Sequence, residues 1–221
     1  MLIKHSIMKK LFFKDSTLAE LDELFGLRQI EDCPSLNQWL NIPQNLNQQE
    51  LNTTYHLQKS LVKNVLFWNE QELSLHFIGP LFSIIDFSEP YRFNFFAQRP
   101  ISAIINDTEL YGKPDGMIAS GYRQPLLPFF CFHEYKKEID TSGDPIGQCL
   151  AAMLVGQSLS KQPQQTMYGC VVVGRDWFFM TLVDKYYCLS KGHNATQNDL
   201  LQIVQILKEL KQIILQQTTK F

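Results

Sequence analysis

The sequence GKPDGMIASGYRQPLLPFFCFHEYKKE, residues 112 to 138, decides the fold of this chain and places charges in an unusual position. Asp115 comes just before a largely apolar stretch that ends in Glu134, Tyr135 and Lys136. Strands that are packed on both faces normally read as near-continuous apolar runs, so charged groups at their ends are costly unless something pairs them. That partner is either a metal ion or the neighbouring charges themselves.

The alternation of side chains along a strand sorts these residues onto two faces. Glu134 and Lys136 project to the same side, whereas His133 and Tyr135 point to the other. If the run that contains Asp115 pairs antiparallel with this strand, the Asp115 carboxylate lies beside Glu134. Two adjacent carboxylates repel each other, and a hard divalent cation relieves that repulsion. The pattern therefore predicts a Mg²⁺ or Mn²⁺ site at the ends of two neighbouring strands.

Outward from this stretch, the apolar spacing alternates between helical and strand-like. The expected order is a helix over residues 47–68, three strand-like runs over 92–138, a helix over 145–160 and a buried strand over 166–174. Asn47 and Glu50 have the spacing of a capping box at the start of the first helix. Asp144 followed by Pro145 is a strong start signal for the second helix.

These elements predict an α/β fold with a mixed β-sheet flanked by helices. The three runs form an antiparallel meander, and the strand near residue 170 returns beside it through a right-handed crossover, in the middle of the sheet. We expect a single domain over residues 1–221, with the core at about 47–175 and an accessory, helical amino-terminal segment over 1–46. A further strand or bent pair and a long amphipathic helix follow the core, and the wide apolar face of that helix leaves a homodimer contact open.

Composition limits the classes of function open to this chain but does not identify one of them. The 221 residues are 45% hydrophobic and 19% charged, which is ordinary for a globular protein, and the net charge of -2 requires any nucleic-acid surface to be a local patch. Five scattered cysteines without a CxxC pair argue against a disulfide framework and against structural zinc. Since neither a signal peptide nor a membrane span is recognisable, we expect a cytoplasmic protein without a membrane partner.

Pro114-Asp115, followed nineteen residues later by Glu134-Tyr135-Lys136, resembles the motif of the PD-(D/E)XK nuclease superfamily. The α-β-β-β-α-β order over roughly residues 47–175 is similar to the restriction endonuclease-like core of that family. The resemblance implies that Asp115 and Glu134 hold one or two Mg²⁺ or Mn²⁺ ions together with the main-chain carbonyl of Tyr135. It also implies that Lys136 acts on the attacking water.

Two further residues gain roles from the same resemblance. Gln148 matches a glutamine that RecB-like members carry in the helix after the motif, although Ala152 stands where those members have tyrosine. Glu50 is the candidate for the acid that many members place on the helix before the sheet, where it joins the metal ligands. The resemblance implies a metal-dependent nuclease that hydrolyses phosphodiester bonds of nucleic acid, with DNA expected, although nothing in the sequence fixes DNA over RNA.

Each candidate also has a purely structural explanation. Asp115 can be a turn acid in PDG, and Glu134 can form a same-face ion pair with Lys136 on the strand. Gln148 can be an ordinary helix residue, and Glu50 is explained by its capping box. The alternative function is therefore a catalytically inactive module of the same fold that binds nucleic acid or assembles with proteins.

Overall fold

The computed structural model describes residues 9–41, 45–139 and 142–218, which form helices packed against two β-sheets. The helices are α1 (Leu18–Phe25), α2 (Pro34–Leu40), α3 (Gln48–Asn64), α4 (Glu70–Leu73), α5 (Gly79–Ile85), α6 (Pro145–Ser160) and α7 (Asp199–Thr218). The strands are β1 (Lys9–Phe12), β2 (Arg28–Gln29), β3 (Asn94–Ala97), β4 (Ile101–Ile105), β5 (Thr108–Gly112), β6 (Gly116–Ser120), β7 (Leu126–Lys136), β8 (Met167–Val173), β9 (Asp176–Val183), β10 (Tyr186–Leu189) and β11 (His193–Asn194). A π-helical turn over Ser74–Ile78 joins α4 to α5.

The larger sheet is mixed and confirms the expected α/β class. Its strand order is β2-β10-β9-β8-β7-β6-β3, and β11 pairs with β9. Strand β7 pairs antiparallel with β6 and parallel with β8, and the connection from β7 to β8 runs through α6. The strand near residue 170 therefore lies in the middle of the sheet, as predicted.

The predicted meander needs a correction, because its first two runs are each split. Strands β3, β6 and β7 do form three antiparallel neighbours, but β4 and β5 form a hairpin in a separate sheet with β1. The chain leaves the larger sheet around Pro100 and returns after Pro114. Proline cannot donate to a strand ladder, so both positions favour a break between strands.

Two apolar clusters cover the two faces of the larger sheet. Helices α2, α3, α5 and α7 contribute to one cluster, whereas α1, α6 and the smaller sheet contribute to the other. The apolar side of α7 lies inside the first cluster through residues such as Val204, Leu207 and Leu210. That side is therefore used in the core of the chain itself.

Helix α6 is buried on nearly every side, from Gly147 to Gln157. Gly156 allows its close approach to β7, since a Cβ atom there would lie 2.5 Å from the ring of Phe132. All five cysteines of the chain are buried free thiols. Within the described ranges, no helix combines the length and the apolar character needed to cross a bilayer.

Candidate active site

Strand β7 carries the predicted motif at its carboxyl end, in the interior of the larger sheet. Residues 129 to 135 are all buried, as expected for a strand with neighbours on both edges and helices on both faces. Glu134 is 7% exposed, so its carboxylate is largely removed from water. The charge of Glu134 helps to raise the pKa of the Cys149 thiol on α6, which places the carboxylate on the α6 side of the sheet.

Asp115 lies at the entry to β6, directly beside the end of β7. The last residue pair of these two strands is Gly116 with His133, so Asp115 stands one step further, opposite Glu134. The main-chain N–H of Tyr135 donates a hydrogen bond to Oδ2 of Asp115 at 2.8 Å. The antiparallel pairing predicted from the sequence therefore brings the two carboxylates to the same point of the sheet.

Lys136 forms an ion pair with Glu134 across the same face of β7. The distance between Nζ of Lys136 and Oε1 of Glu134 is 2.8 Å, and both side chains are largely buried. Nζ also lies 3.3 Å from Oε1 of Glu70, the first residue of α4. The structure thus adds a third acid to the group, and sequence reasoning did not name it.

The Glu70 side chain is 46% exposed and reaches the group from the opposite wall of a cleft. Asn69 caps α4 and forms a capping box with Glu72, which fixes the direction of the first turn. Asn69 and Glu72 have the same Asn-x-x-Glu spacing that predicted the start of α3, so the start of α4 was predictable from the sequence as well. The cleft has a volume of about 770 Å³ and is lined by Asn69, Glu70, Gln71, Ser74, Leu75, Gln98, Asp115, Tyr135, Lys137 and Ser142.

The charges of the group shift one another's pKa values in a consistent way. Burial, together with the charge of Asp115, raises the pKa of Glu134 to about 7 against the opposing hydrogen bond and charge of Lys136. Burial also raises the pKa of Asp115, although the Tyr135 N–H and Lys136 favour its ionised form. Desolvation lowers the pKa of Lys136, but the hydrogen bond and charge of Glu134 outweigh it, so the net shift is upward. Lys136 is therefore a cation at neutral pH.

Three carboxylates against one ammonium leave an excess of negative charge in and beside a partly dehydrated cleft. If Asp115, Glu134 and Glu70 are all ionised, the group with Lys136 carries a net charge of -2, from three negative charges and one positive. Such an excess is unfavourable away from bulk water and is relieved by protonation or by a divalent cation. The raised pKa of Glu134 is the protonation response of this group.

The main-chain carbonyl of Tyr135 faces the same edge as Asp115. A strand residue directs its N–H and C=O toward the same neighbouring strand, and the Tyr135 N–H points to Asp115. The next carbonyl along, that of Lys136, accepts from Gly174 on the β8 side, as the alternation requires. The Tyr135 oxygen is therefore directed toward the β6 edge of the strand, on which Asp115 lies.

The group fits an open magnesium site better than a closed metal cage. Among the described residues, no three His, Cys, Asp or Glu side chains are placed so that together they could hold a metal ion. Asp115 and Glu134 would hold the ion with the Tyr135 carbonyl, and water would complete the coordination. Mg²⁺ is commonly bound in this way, through one or two carboxylates with several waters retained.

No family model and no curated protein matches the sequence. The geometry of the group therefore carries the functional argument by itself.

Gln148 lies in the first turn of α6 and is 5% exposed. Asp144 caps this helix by accepting from the N–H of Gly147 at 2.9 Å, and its second oxygen accepts from the N–H of Leu18. The Gln148 amide is directed toward Gly143, where an added Cβ atom would lie 2.7 Å from Nε2. In the part of the chain that the structure describes, no hydrogen bond joins this amide to Asp115, Glu134 or Lys136.

Glu50 is held in a different place, at the start of α3. Its carboxylate accepts from the N–H of Asn47, which completes the capping box, and Nζ of Lys208 lies 2.7 Å from its Oε1. It lines a separate cavity together with Asn47 and Pro80. The contacts of Glu50 are thus structural, whereas Glu70 is the acid on a helix before the sheet that contacts Lys136.

Proposed function

We propose that this chain is a Mg²⁺- or Mn²⁺-dependent nuclease with a restriction endonuclease-like core, and that it hydrolyses phosphodiester bonds of DNA. The observation that carries the proposal is the meeting of Asp115, Glu134 and Lys136 at the ends of β6 and β7, beside an open cleft. The mixed sheet with α6 between β7 and β8 supports the proposed core. Cleavage of a phosphodiester needs negative charge to be offset at the phosphorus oxygens and a water to be activated.

The residues of the group would divide this work among them. Asp115, Glu134 and the Tyr135 carbonyl would hold the ion, which would lower the pKa of a coordinated water and offset phosphate charge. Lys136 remains protonated because of its acidic neighbours, so it orients the attacking water and stabilises developing negative charge rather than acting as a base. Glu70 keeps Lys136 in place from the α4 side.

The first turn of α6, which contains Gln148, adds the positive end of a helix dipole on the face of the sheet that carries Glu134, and that end favours negative charge nearby. The five free cysteines agree with a reducing, cytoplasmic setting for this activity.

The test is a cleavage assay with Mg²⁺ or Mn²⁺ on single-stranded DNA, duplex DNA and RNA. We expect Asp115→Asn and Lys136→Ala each to abolish cleavage while the circular dichroism spectrum stays native. Lys191→Ala, which changes an exposed lysine elsewhere on the surface, is the matched control and should cleave normally. Full activity in Asp115→Asn or Lys136→Ala would overturn the proposed site.

The inactive module is the second candidate, and one observation favours it. Lys136 already contacts both Glu134 and Glu70, so the acids have a partner without any metal. Calorimetry with Mn²⁺ separates the two functions. Binding that is lost in Asp115→Asn supports the nuclease, whereas no binding by a normally folded wild-type protein supports the module.

A further inference from the structure

The outward face of α3 and the turn after it expose large apolar side chains. Tyr55 is 47% exposed, Val62 57%, Leu66 55% and Phe67 81%. At about 3.6 residues per turn, positions 55, 59, 62 and 66 fall on one stripe of the helix surface, opposite the buried Leu57 and Leu61. We call this stripe and its neighbours the α3 surface, which consists of Tyr55, Lys59, Val62, Lys63, Leu66 and Phe67.

The α3 surface carries positive charge and no acid. Residues 51–69 contain Lys59, Lys63 and His56 but neither aspartate nor glutamate, in a chain whose net charge is negative. Both lysines are exposed, and no ion pair within the described residues engages them. An apolar surface with this charge pattern complements a polyanion better than an apolar protein face.

The α3 surface is followed directly along the chain by a wall of the proposed active-site cleft. Phe67 precedes Asn69 by two residues, so their Cα atoms are at most about 7 Å apart, and Asn69 lines the cleft. Leu75, also on the cleft wall, is 63% exposed. The rings of Trp68 and His76 contact each other in a tilted arrangement, with centroids 5.6 Å apart.

We propose that the α3 surface binds single-stranded nucleic acid and guides it to the cleft, with Phe67 stacking on an unpaired base and Lys59 and Lys63 contacting phosphates. The proposal rests on the proposed nuclease function for its substrate class. Exposed aromatic rings stack on bases whose faces are free, which a duplex does not offer, and lysines beside them track the backbone. The substrate of the enzyme is therefore a single strand, or a single-stranded end or flap.

Binding is best measured in the absence of metal, by fluorescence anisotropy with a labelled single-stranded DNA oligonucleotide and its duplex. Asp115→Asn serves as the parent protein, so that no cleavage disturbs the titration. Adding Phe67→Ala should weaken single-strand binding by about tenfold. Adding Lys59→Gln and Lys63→Gln should reduce the slope of log K against log salt concentration by about 1.4. The matched controls are Tyr122→Ala, an equally exposed ring elsewhere, and the pair Lys161→Gln and Lys191→Gln.

The outcomes separate this proposal from the proposed function. If single-strand affinity is unchanged in both sets of variants while the wild-type protein cleaves, the α3 proposal is overturned and the nuclease proposal is not. If the variants bind the single strand more weakly but the wild-type protein does not cleave, the α3 surface is supported as a binding site and the nuclease is overturned. Preference for the duplex overturns the single-stranded substrate. A protein dimer that Phe67→Ala converts to monomer, with DNA affinity unchanged, would instead make the α3 surface a contact between copies of this chain.

Discussion

Nζ of Lys136 lies 2.8 Å from Oε1 of Glu134, and the two side chains leave β7 on the same face, two residues apart. The pair balances one carboxylate of a group of three, because Asp115 and Glu70 bring two more negative charges to the same lysine. The ion pair and a metal site are therefore compatible. Their relationship can be tested by changing each partner in turn.

Removing the ammonium should affect both the titration of Glu134 and catalysis. In Lys136→Met, the buried Glu134 loses its nearest cation, so its pKa should rise above the value of about 7 that it has beside Lys136. Cleavage should fall by about a hundredfold or more, since the charge that offsets the developing negative charge is gone. Carboxyl NMR titration measures the first effect and a cleavage assay the second. A Glu134 pKa that stays the same or falls would show that the ion pair does not exist in solution.

Glu134 should make the metal-free protein less stable as the pH rises. Its pKa is raised from the ordinary value of 4.5 to about 7, so the folded state binds more protons than the unfolded state between these values. The stabilising contribution of the protonated form is complete below about pH 4.5 and is lost as the pH rises through 7. Glu134→Gln should therefore be more stable than wild type at pH 8, by on the order of 3 kcal/mol.

Urea denaturation at pH 5 and pH 8 measures this difference, and Mn²⁺ provides a second reading. Proton and metal compete for Glu134, so Mn²⁺ affinity should fall about tenfold per pH unit below 7. Glu138→Gln, which changes an acid paired with Arg175 away from the cleft, is the control for a general charge effect. Equal stability of Glu134→Gln and wild type at pH 8, or pH-independent Mn²⁺ binding, would contradict the raised pKa of the buried Glu134 carboxyl.

Glu70 should matter for the site and little for the fold. In Glu70→Gln, one negative charge that raises the pKa of both Asp115 and Glu134 is removed, so both values should fall. Mn²⁺ affinity should fall about tenfold, as expected for a residue that acts through the charge and position of another. Glu72→Gln on the same short helix keeps its capping box and is the matched control in calorimetry. Equal Mn²⁺ affinity in the two variants would remove Glu70 from the site.

Glu50 should behave in the opposite way. In Glu50→Ala, α3 loses one half of its capping box and the ion pair with Lys208, which should cost about 1–2 kcal/mol of stability. Asn47→Ala, which removes the other half of the same capping box, should cost a similar amount. Both variants should cleave at the wild-type rate once folded. Loss of cleavage in Glu50→Ala alone, at a stability equal to that of Asn47→Ala, would restore Glu50 as a site residue.

Local patterns were enough to predict much of this architecture. The near-continuous apolar run of β7 predicted a buried strand, and strand alternation placed Glu134 and Lys136 on one face. Asp144 with Pro145 predicted the start of α6, and CVVVG predicted a central strand. Each of these rests on a few consecutive residues, so tertiary contacts did not need to be known.

The parts that the sequence did not reveal depend on contacts between distant residues. Strands β5 and β6 read as one run, and the place of β5 in the smaller sheet depends on its pairing with β1 and β4. The role of Glu70 depends on the packing that brings α4 against the end of β7. Its helix start was visible in the Asn69 and Glu72 spacing, but nothing local indicated which acid would face Lys136.

The central claim is that Asp115 and Glu134 together hold a divalent cation, and anomalous diffraction from crystals soaked in Mn²⁺ at pH 8 tests it most directly. The pH is chosen above the Glu134 pKa of about 7, so that both carboxylates are ionised. We expect one anomalous peak between the two side chains, with oxygens of Asp115, Glu134 and the Tyr135 carbonyl at about 2.0–2.2 Å. A well-ordered site in which Lys136 and Glu134 remain paired and no peak lies near either carboxylate would contradict the claim.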